Sequence, residues 1–310
     1  MSLLPGRAVG RRLPVLLICA LFAQPVVAAE SGSGLFVPGS TGFGAGLIPP
    51  PGVYATHAAM LYDGKASALV EGGATSIDAR KTAMPLILNL TYVPKGDFLG
   101  GRVALSASIP YLSYTRLRAE VDGVGRVVTS GWGLGDLSLK TTTGWSSGSF
   151  SHNVGVSLWL PTGRYDIGFA PNAGKNHYGV HLGWAFTQIW EGSGVELSGA
   201  TGVTFEDRNA RTRYRNGPAW NLEAAVGVPA GKTVKLGVAG FALRQLDRDG
   251  GEGATLGSFA GQGFGIGPAL NFGLRIGRTP ISASFRHYQE FGVRNRFSGH
   301  ISTIALTARM

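Results

Sequence analysis

The chain has 310 residues, of which 49 are glycine and 15% are charged, with a single cysteine and a formal net charge of +10. One cysteine excludes a disulfide framework and a thiolate metal cluster. The 28 basic residues are scattered through the sequence. That distribution argues against a nucleic-acid partner, which calls for a Lys/Arg block.

The first 29 residues read as a secretory signal peptide. Arg7, Arg11 and Arg12 precede an apolar run over 13–22, and the small residues Val27, Ala28 and Ala29 mark a cleavage site. Cys19 lies inside that run, so the exported chain carries no thiol, and loss of the three arginines lowers the net charge from +10 to about +7. Beyond the leader, no stretch approaches the roughly 18 consecutive apolar residues of a membrane-spanning helix. Residues 30–50 hold glycine and proline throughout and almost no charge. This segment is a lead or a plug of the lumen, and a flexible periplasmic lead is the preferred reading.

From residue 51 to residue 310 the pattern is that of strands. Apolar/polar alternation runs through 51–63, 82–93, 101–114, 133–145, 150–161, 177–190, 194–206, 217–229, 232–245, 263–277, 280–290 and 298–310. Each segment can cross a bilayer at a tilt, for which about 9 to 11 residues suffice. The connectors alternate in length. They are short near 93–100, 145–150, 190–194, 228–233 and 277–280, and long near 64–81, 115–132, 162–176, 207–216 and 246–262. Short periplasmic turns and long outer loops produce this asymmetry in an all-β, antiparallel transmembrane β-barrel of about 12 strands in the bacterial outer membrane. Such a barrel is expected to be a monomer surrounded by outer-membrane lipid and inserted by the barrel-assembly machinery, although Met310 stands where many such proteins end in an aromatic residue.

The alternation assigns faces. Leu182 points to lipid and Ser198 to the lumen, so a charge should cost far more at the first position than at the second. Trp145, Phe150 and Trp190 beside short turns, and Tyr114, Phe205, Phe291 and Phe297 beside long loops, suggest two interfacial girdles. Pro85, Pro110 and Pro268 fall inside strands and call for bulges, because each removes a ladder hydrogen bond.

Inward-facing charges are the candidate site: Asp136, Lys140, Glu196, Glu223, Lys235, Arg275, Arg286 and Glu290. Charges inside a barrel are costly unless paired, so they form a structural ion-pair network or line a substrate path. Glu223, Arg275, Arg286 and Glu290 are the expected cross-lumen network. No catalytic residue, metal site or cofactor is expected. His177 and His181 share a strand face but stand about 13 Å apart, too far for one metal ion. No G-x-S-x-G turn occurs, and Gly261, Gly263, Gly265 and Gly267 lack the spacing of a phosphate-cradling loop.

Several short motifs carry a resemblance. Gly133, Leu134, Gly135, Asp136 and Leu137 form the first. Pro161, Thr162, Gly163, Arg164, Tyr165 and Asp166, followed by Asn172, Gly174 and Asn176, form the second. Leu222 with Glu223, and Tyr288, Gln289, Glu290 and Phe291 with Asn295 and Arg296, complete the set. Over roughly residues 50–310 the chain resembles the phenol meta-pathway degradation family of outer-membrane proteins, which includes SphA-type members. The resemblance implies a barrel linked to catabolism of aromatic or other hydrophobic compounds, acting as a channel or transporter for passive uptake of such small molecules. A structural or adhesive barrel with a closed lumen is the alternative, and a barrel lipid hydrolase the third reading.

Overall fold

In the computed structural model, residues 34–69, 76–121, 125–167, 171–254, 259–277 and 279–310 are described. The expected leader at 1–29 lies outside them. The strands are β1 (Gly52–Leu69), β2 (Ser76–Val93), β3 (Asp97–Phe98), β4 (Gly101–Val121), β5 (Gly125–Gly133), β6 (Leu137–Ser147) and β7 (Phe150–Leu160). They continue with β8 (Gly179–Ile189), β9 (Glu196–Glu206), β10 (Ala219–Pro229), β11 (Val234–Gln245), β12 (Gln262–Ile276), β13 (Thr279–Arg294) and β14 (Ser298–Arg309). No helix among the described residues is long and apolar enough to cross a membrane.

The strands form one antiparallel sheet that closes on itself, with β1 pairing β14 as well as β2, and β2 pairing β4. Closure matters because hydrocarbon offers no hydrogen bonds to an open strand edge. The two-residue β3 belongs to the β2–β4 turn. β5 and β6 are two pieces of a single stave: Tyr114 faces Trp132 on the outer part of β4, and Ser106 faces Lys140 on the inner part. The barrel therefore has 12 staves. Large apolar side chains stand exposed on its outside, with Leu182 at 50% and Val226, Val238, Ile266 and Ile304 similar. This is the band that meets lipid.

Two connectors expected to be loops are extensions of strands. β1 and β2 stay paired as far as Leu69 and Ser76, and β4 and β5 as far as Val121 and Gly125. Hydrophobic alternation fades there because the sequence turns charged, with Asp63, Lys65, Arg80, Arg116 and Arg118, yet backbone pairing does not need lipid-facing side chains. The prolines behave differently from one another. Pro85 pairs with Ser113, whereas Tyr111, next to Pro110, is skipped between Leu112 and Pro110 in the pairing with β2. Pro268 faces Val238, and on its other side pairing with β13 lapses between Ile266 and Ala269. Phe297 is buried and leaves the proposed outer girdle, while Phe205 and Phe291 stand exposed as a girdle requires.

The barrel interior is occupied. Residues 34–50 run through it from the loop end, where Leu35 meets Glu206, to the turn end, where Arg102 donates to the Ile48 carbonyl (3.0 Å). An internal core forms where Phe43 of this segment, with Met60 and Tyr62, packs on Phe241, Tyr288 and Ile301. Phe241 and Tyr288 meet edge to face at 5.3 Å.

Candidate functional site

A ladder of carboxylates on β9 and β10 grips the interior segment, and each rung uses backbone N–H groups as its partners. Glu223 is buried. Its Oε1 accepts from the N–H of Gly39 (2.5 Å) and Ser40 (3.1 Å), and its Oε2 from that of Thr41 (2.9 Å). Gly39 makes this turn possible: its φ is +76°, and a Cβ there would stand 2.6 Å from the Tyr288 ring. Lower down, Glu196 accepts from Gly44 N–H (2.6 Å) and the Ser198 hydroxyl (2.6 Å), and pairs with Lys235. At the loop end, Glu206 accepts from Leu35 N–H (2.8 Å) and Asn216, and pairs with His177 at 2.9 Å. Thr187, on β8, accepts from Gly46 N–H (2.9 Å), and Asn153, on β7, donates to the Ala45 carbonyl (2.9 Å). Hydrogen bonds to an ionised partner are the stronger kind, which suits a segment with no regular structure of its own.

A second constellation joins motifs far apart in the chain. Asp136 lies in the break between β5 and β6, opposite the Pro110 irregularity, where Gly135 N–H donates to the Pro110 carbonyl (2.8 Å). Its carboxylate draws the 161–178 loop inward, accepting from the N–H of Gly163 (2.8 Å) and of Lys175 (2.6 Å). Gly163 and Gly174 touch so closely that a Cβ on either would stand within 2.8 Å of the other's backbone. Arg164 donates to the Trp132 carbonyl (3.2 Å), and Asp166 and Asn172 exchange two bonds across the loop. The first two of the motifs that carried the family resemblance, around Asp136 and over 161–176, thus build one folded lid.

Two adjoining cavities lie beside the interior segment. The upper, of about 260 Å³, is walled by β1, β2 and β4, by the lid near Ala173, and by Phe36, Trp159 and Phe297; Lys81, Lys175 and Arg296 reach it, as do Asp136 and Glu290. Lys81 sits 5.7 Å from the centre of the Phe297 ring. Arg296, in the 295–297 turn beyond the strands, is held below the ordinary arginine range by burial, against the pull of Glu290. The lower cavity, of about 690 Å³, is lined largely by Thr, Ser, Asn and Ala of the wall, with Lys140, His181 and Arg286 as its basic groups. Met60, Pro110, Asp136 and Trp159 border both, so the two spaces adjoin.

The candidate charges therefore separate into groups. Glu196 pairs with Lys235, and Glu223 binds the interior segment; Arg286 reaches that segment through the Ser40 carbonyl (3.1 Å). Asp136 holds the lid. Glu290 accepts from Tyr62 (3.2 Å) and Gly299 N–H (2.9 Å). Lys140 opens onto the lower cavity. Arg275 is exposed two residues before the β12–β13 turn at Gly277, and among the described residues no ion pair joins it, Arg286, Glu223 and Glu290. The expected four-membered network is thus not assembled: alternation assigns the face of a strand but not the depth along it. Glu206 and Ser198 were legible as inward residues but their task was not. Ser198 is fully buried against Glu196 and Gly44, so the expectation that it accepts a charge cheaply is reversed. His177 and His181 have separate partners, Glu206 and the Thr204 hydroxyl.

A family model described as "Putative MetA-pathway of phenol degradation" matches residues 69–302. The chain belongs to this family. With its closed barrel and apolar outer band, this membership places it in the bacterial outer membrane. The COG4313 outer membrane channel from Pseudomonas putida F1 shares the fold, with a TM-score of 0.63 at 16% identity over 86% of this chain and 98% of that one. More distant are the β domain of the Bordetella autotransporter BrkA (TM-score 0.49, 11% identity, 84% of this chain and 100% of that one) and the CymD monoaromatic hydrocarbon channel (TM-score 0.41, 6% identity, 84% and 89%). No curated protein sequence matches the chain.

Proposed function

We propose that the barrel is a conduit for passive uptake of hydrophobic or aromatic small molecules across the outer membrane. The observation that carries this reading is the pair of adjoining cavities, which border the interior segment from the lid to the turn end. Apolar and aromatic walls above and a hydroxyl-rich wall below suit a solute that enters by partition and leaves without tight binding. Family membership agrees with it, as does the shared fold with an outer membrane channel from Pseudomonas putida F1. In this reading 1–29 is a cleaved leader, 30–50 a plug and 51–310 the barrel. Closure of the sheet within one chain supports a monomer delivered by the barrel-assembly machinery, and the chemistry is transport and not turnover.

The test is uptake of a hydrophobic aromatic solute by liposomes or cells carrying matched amounts of protein. Entry should exceed that into empty membranes, and unboiled protein should migrate faster than boiled protein on a gel. If entry never exceeds the empty control, the structural or adhesive barrel takes the place of the conduit. That second reading draws its support from the number of bonds fixing residues 34–50 across the lumen.

A further inference from the structure

The loop ends of β1, β2 and β4 carry a row of cations on the outside of the barrel. Thr115 and Leu117 line the upper cavity, so Arg116 and Arg118, which alternate with them, point outward. Tyr62 and Lys81 line it too, which turns Asp63, Lys65, Arg80 and Thr82 outward in the same way. Register sets these residues side by side: Lys65 faces Arg80 and Arg80 faces Arg118, while Asp63, Thr82 and Arg116 form the rung below. Like charges directly opposed across a sheet, with Cβ atoms about 5 Å apart, are destabilising. Asp63 is the one carboxylate in these two rungs, and Arg80 (2.9 and 3.0 Å) and Thr82 (3.2 Å) already occupy it. Among the described residues no ion pair reaches Lys65, Arg116 or Arg118, and Arg118 Nε is buried without a partner.

The row has a defined height. Tyr114 pairs with Met84 on one side and with Trp132 on the other, and Leu61, Met84 and Trp132 stand exposed, Trp132 at 65%. This rung is the upper edge of the lipid band. Arg116 and Arg118 follow Tyr114 by two and four residues, about 7 and 13 Å along the strand. One rung further out Asp78 faces Glu120, and Glu120 faces Arg126, so the purely basic stretch ends there. The cations thus occupy the layer in which lipid headgroups lie. We infer that this face docks the phosphorylated glycolipid of the outer leaflet, lipopolysaccharide, with a phosphate over Lys65, Arg116 and Arg118 and acyl chains against Met84, Tyr114 and Trp132. A guanidinium fork matches a phosphate, and the anion relieves the repulsion along the row. The inference concerns the outer wall and does not depend on uptake through the lumen.

Titration of the full chain in detergent tests it, with bisphosphorylated lipid A, dephosphorylated lipid A and inorganic phosphate as probes. Native mass spectrometry reads retention, and the heat-dependent gel shift shows that each variant is folded. Bisphosphorylated lipid A should bind at least about tenfold more tightly than the dephosphorylated form, and inorganic phosphate at the same concentration should not displace it. Lys65→Gln should weaken its binding about fivefold, and Arg116→Gln combined with Arg118→Gln about fivefold for each cation removed, with the dephosphorylated form unaffected. Arg118→Lys keeps the charge but loses the fork, so it should fall between the native chain and Arg118→Gln. Lys232→Gln combined with Arg275→Gln removes two exposed charges at the turn end and should change nothing. Equal binding of the two lipid A forms overturns the inference in favour of acyl contacts alone. Equal loss in the two double variants overturns it in favour of net charge, and displacement by inorganic phosphate overturns it in favour of a free-anion site.

Discussion

The two sides of the lumen wall solve opposite problems. Along β8, β9 and β10 the inward residues are buried polar groups, Thr187, Ser198, Thr204, Asn221 and Glu223, and the interior segment is bonded to Thr187, Ser198 and Glu223 among them. Along β1, β2 and β4 the inward residues Met60, Ala83, Pro85 and Thr115 border the upper cavity and bond little to that segment. The same period-2 pattern thus produces a docking surface on one side and a passage on the other. What differs is the presence of carboxylates at matching heights, since backbone N–H groups of an irregular segment need acceptors and a β wall has none to spare.

The largest test of this contrast removes the central anchor. Glu223→Ala strips the acceptors from three N–H groups and leaves them without partners, at a cost of about 3 to 5 kcal/mol to the seated segment. The expected result is protease cleavage within 34–50 and a several-fold rise in conductance, with the barrel still heat-modifiable. A segment that stays protected at unchanged conductance would show that the β9 and β10 wall is not what holds it.

Next comes a paired substitution across the two sides. Ser198→Asp would place a second carboxylate beside Glu196 at a fully buried position, so its cost should approach the roughly 2 to 4 kcal/mol expected for Leu182→Arg on the lipid face. Thr303→Asp, on β14 opposite Met60 of the passage side and bordering the lower cavity, should cost less than about 1 kcal/mol, because a charge there is hydrated and has Arg286 opposite it in the pairing of β13 with β14. Urea midpoints of the folded form measure both. Equal costs would erase the distinction between docking wall and passage wall.

Asp136→Asn is a smaller perturbation that sharpens the picture at the lid. The amide keeps an acceptor for Gly163 or Lys175 but turns a donor toward the other, so the lid should loosen by about 1 to 3 kcal/mol. Amide exchange should accelerate in 161–178 and stay slow in 34–50. Acceleration in both would mean that lid and interior segment move as one unit.

Much of this could be read in the residues, and the failures have a common cause. Alternation found the membrane-crossing part of every stave, from Val154 and Val156 on β7 to Ile304 and Leu306 on β14, because lipid demands an apolar face. It lost the outer ends of β1, β2, β4 and β5, where Arg80 and Arg118 meet water and the pairing persists without hydrophobic pattern. It identified Glu196 and Glu223 as inward charges but sought their partners among other charges. Glu223 finds its partners in the backbone of Gly39, Ser40 and Thr41, and no side-chain pattern marks a backbone donor. The lid around Asp136 was visible only as scattered motifs, since close approach of Gly163 and Gly174 is a property of two chain segments in space.

The mildest prediction concerns Arg286, which stands between the two sides. Its Nη2 donates to the Ser40 carbonyl at 3.1 Å while its guanidinium borders the lower cavity. Arg286→Ala removes one hydrogen bond to the segment, about 1 kcal/mol, and leaves Glu223 with its three N–H donors. Permeability should therefore rise, but by less than in Glu223→Ala. Arg286→Glu should disturb more than deletion, since it sets a second carboxylate near Glu223, both residues reaching Ser40 of the segment. Solute entry measured for the two variants at matched protein levels decides the matter. If alanine and glutamate have the same effect, Arg286 acts only by filling space, and its charge takes no part in holding the segment.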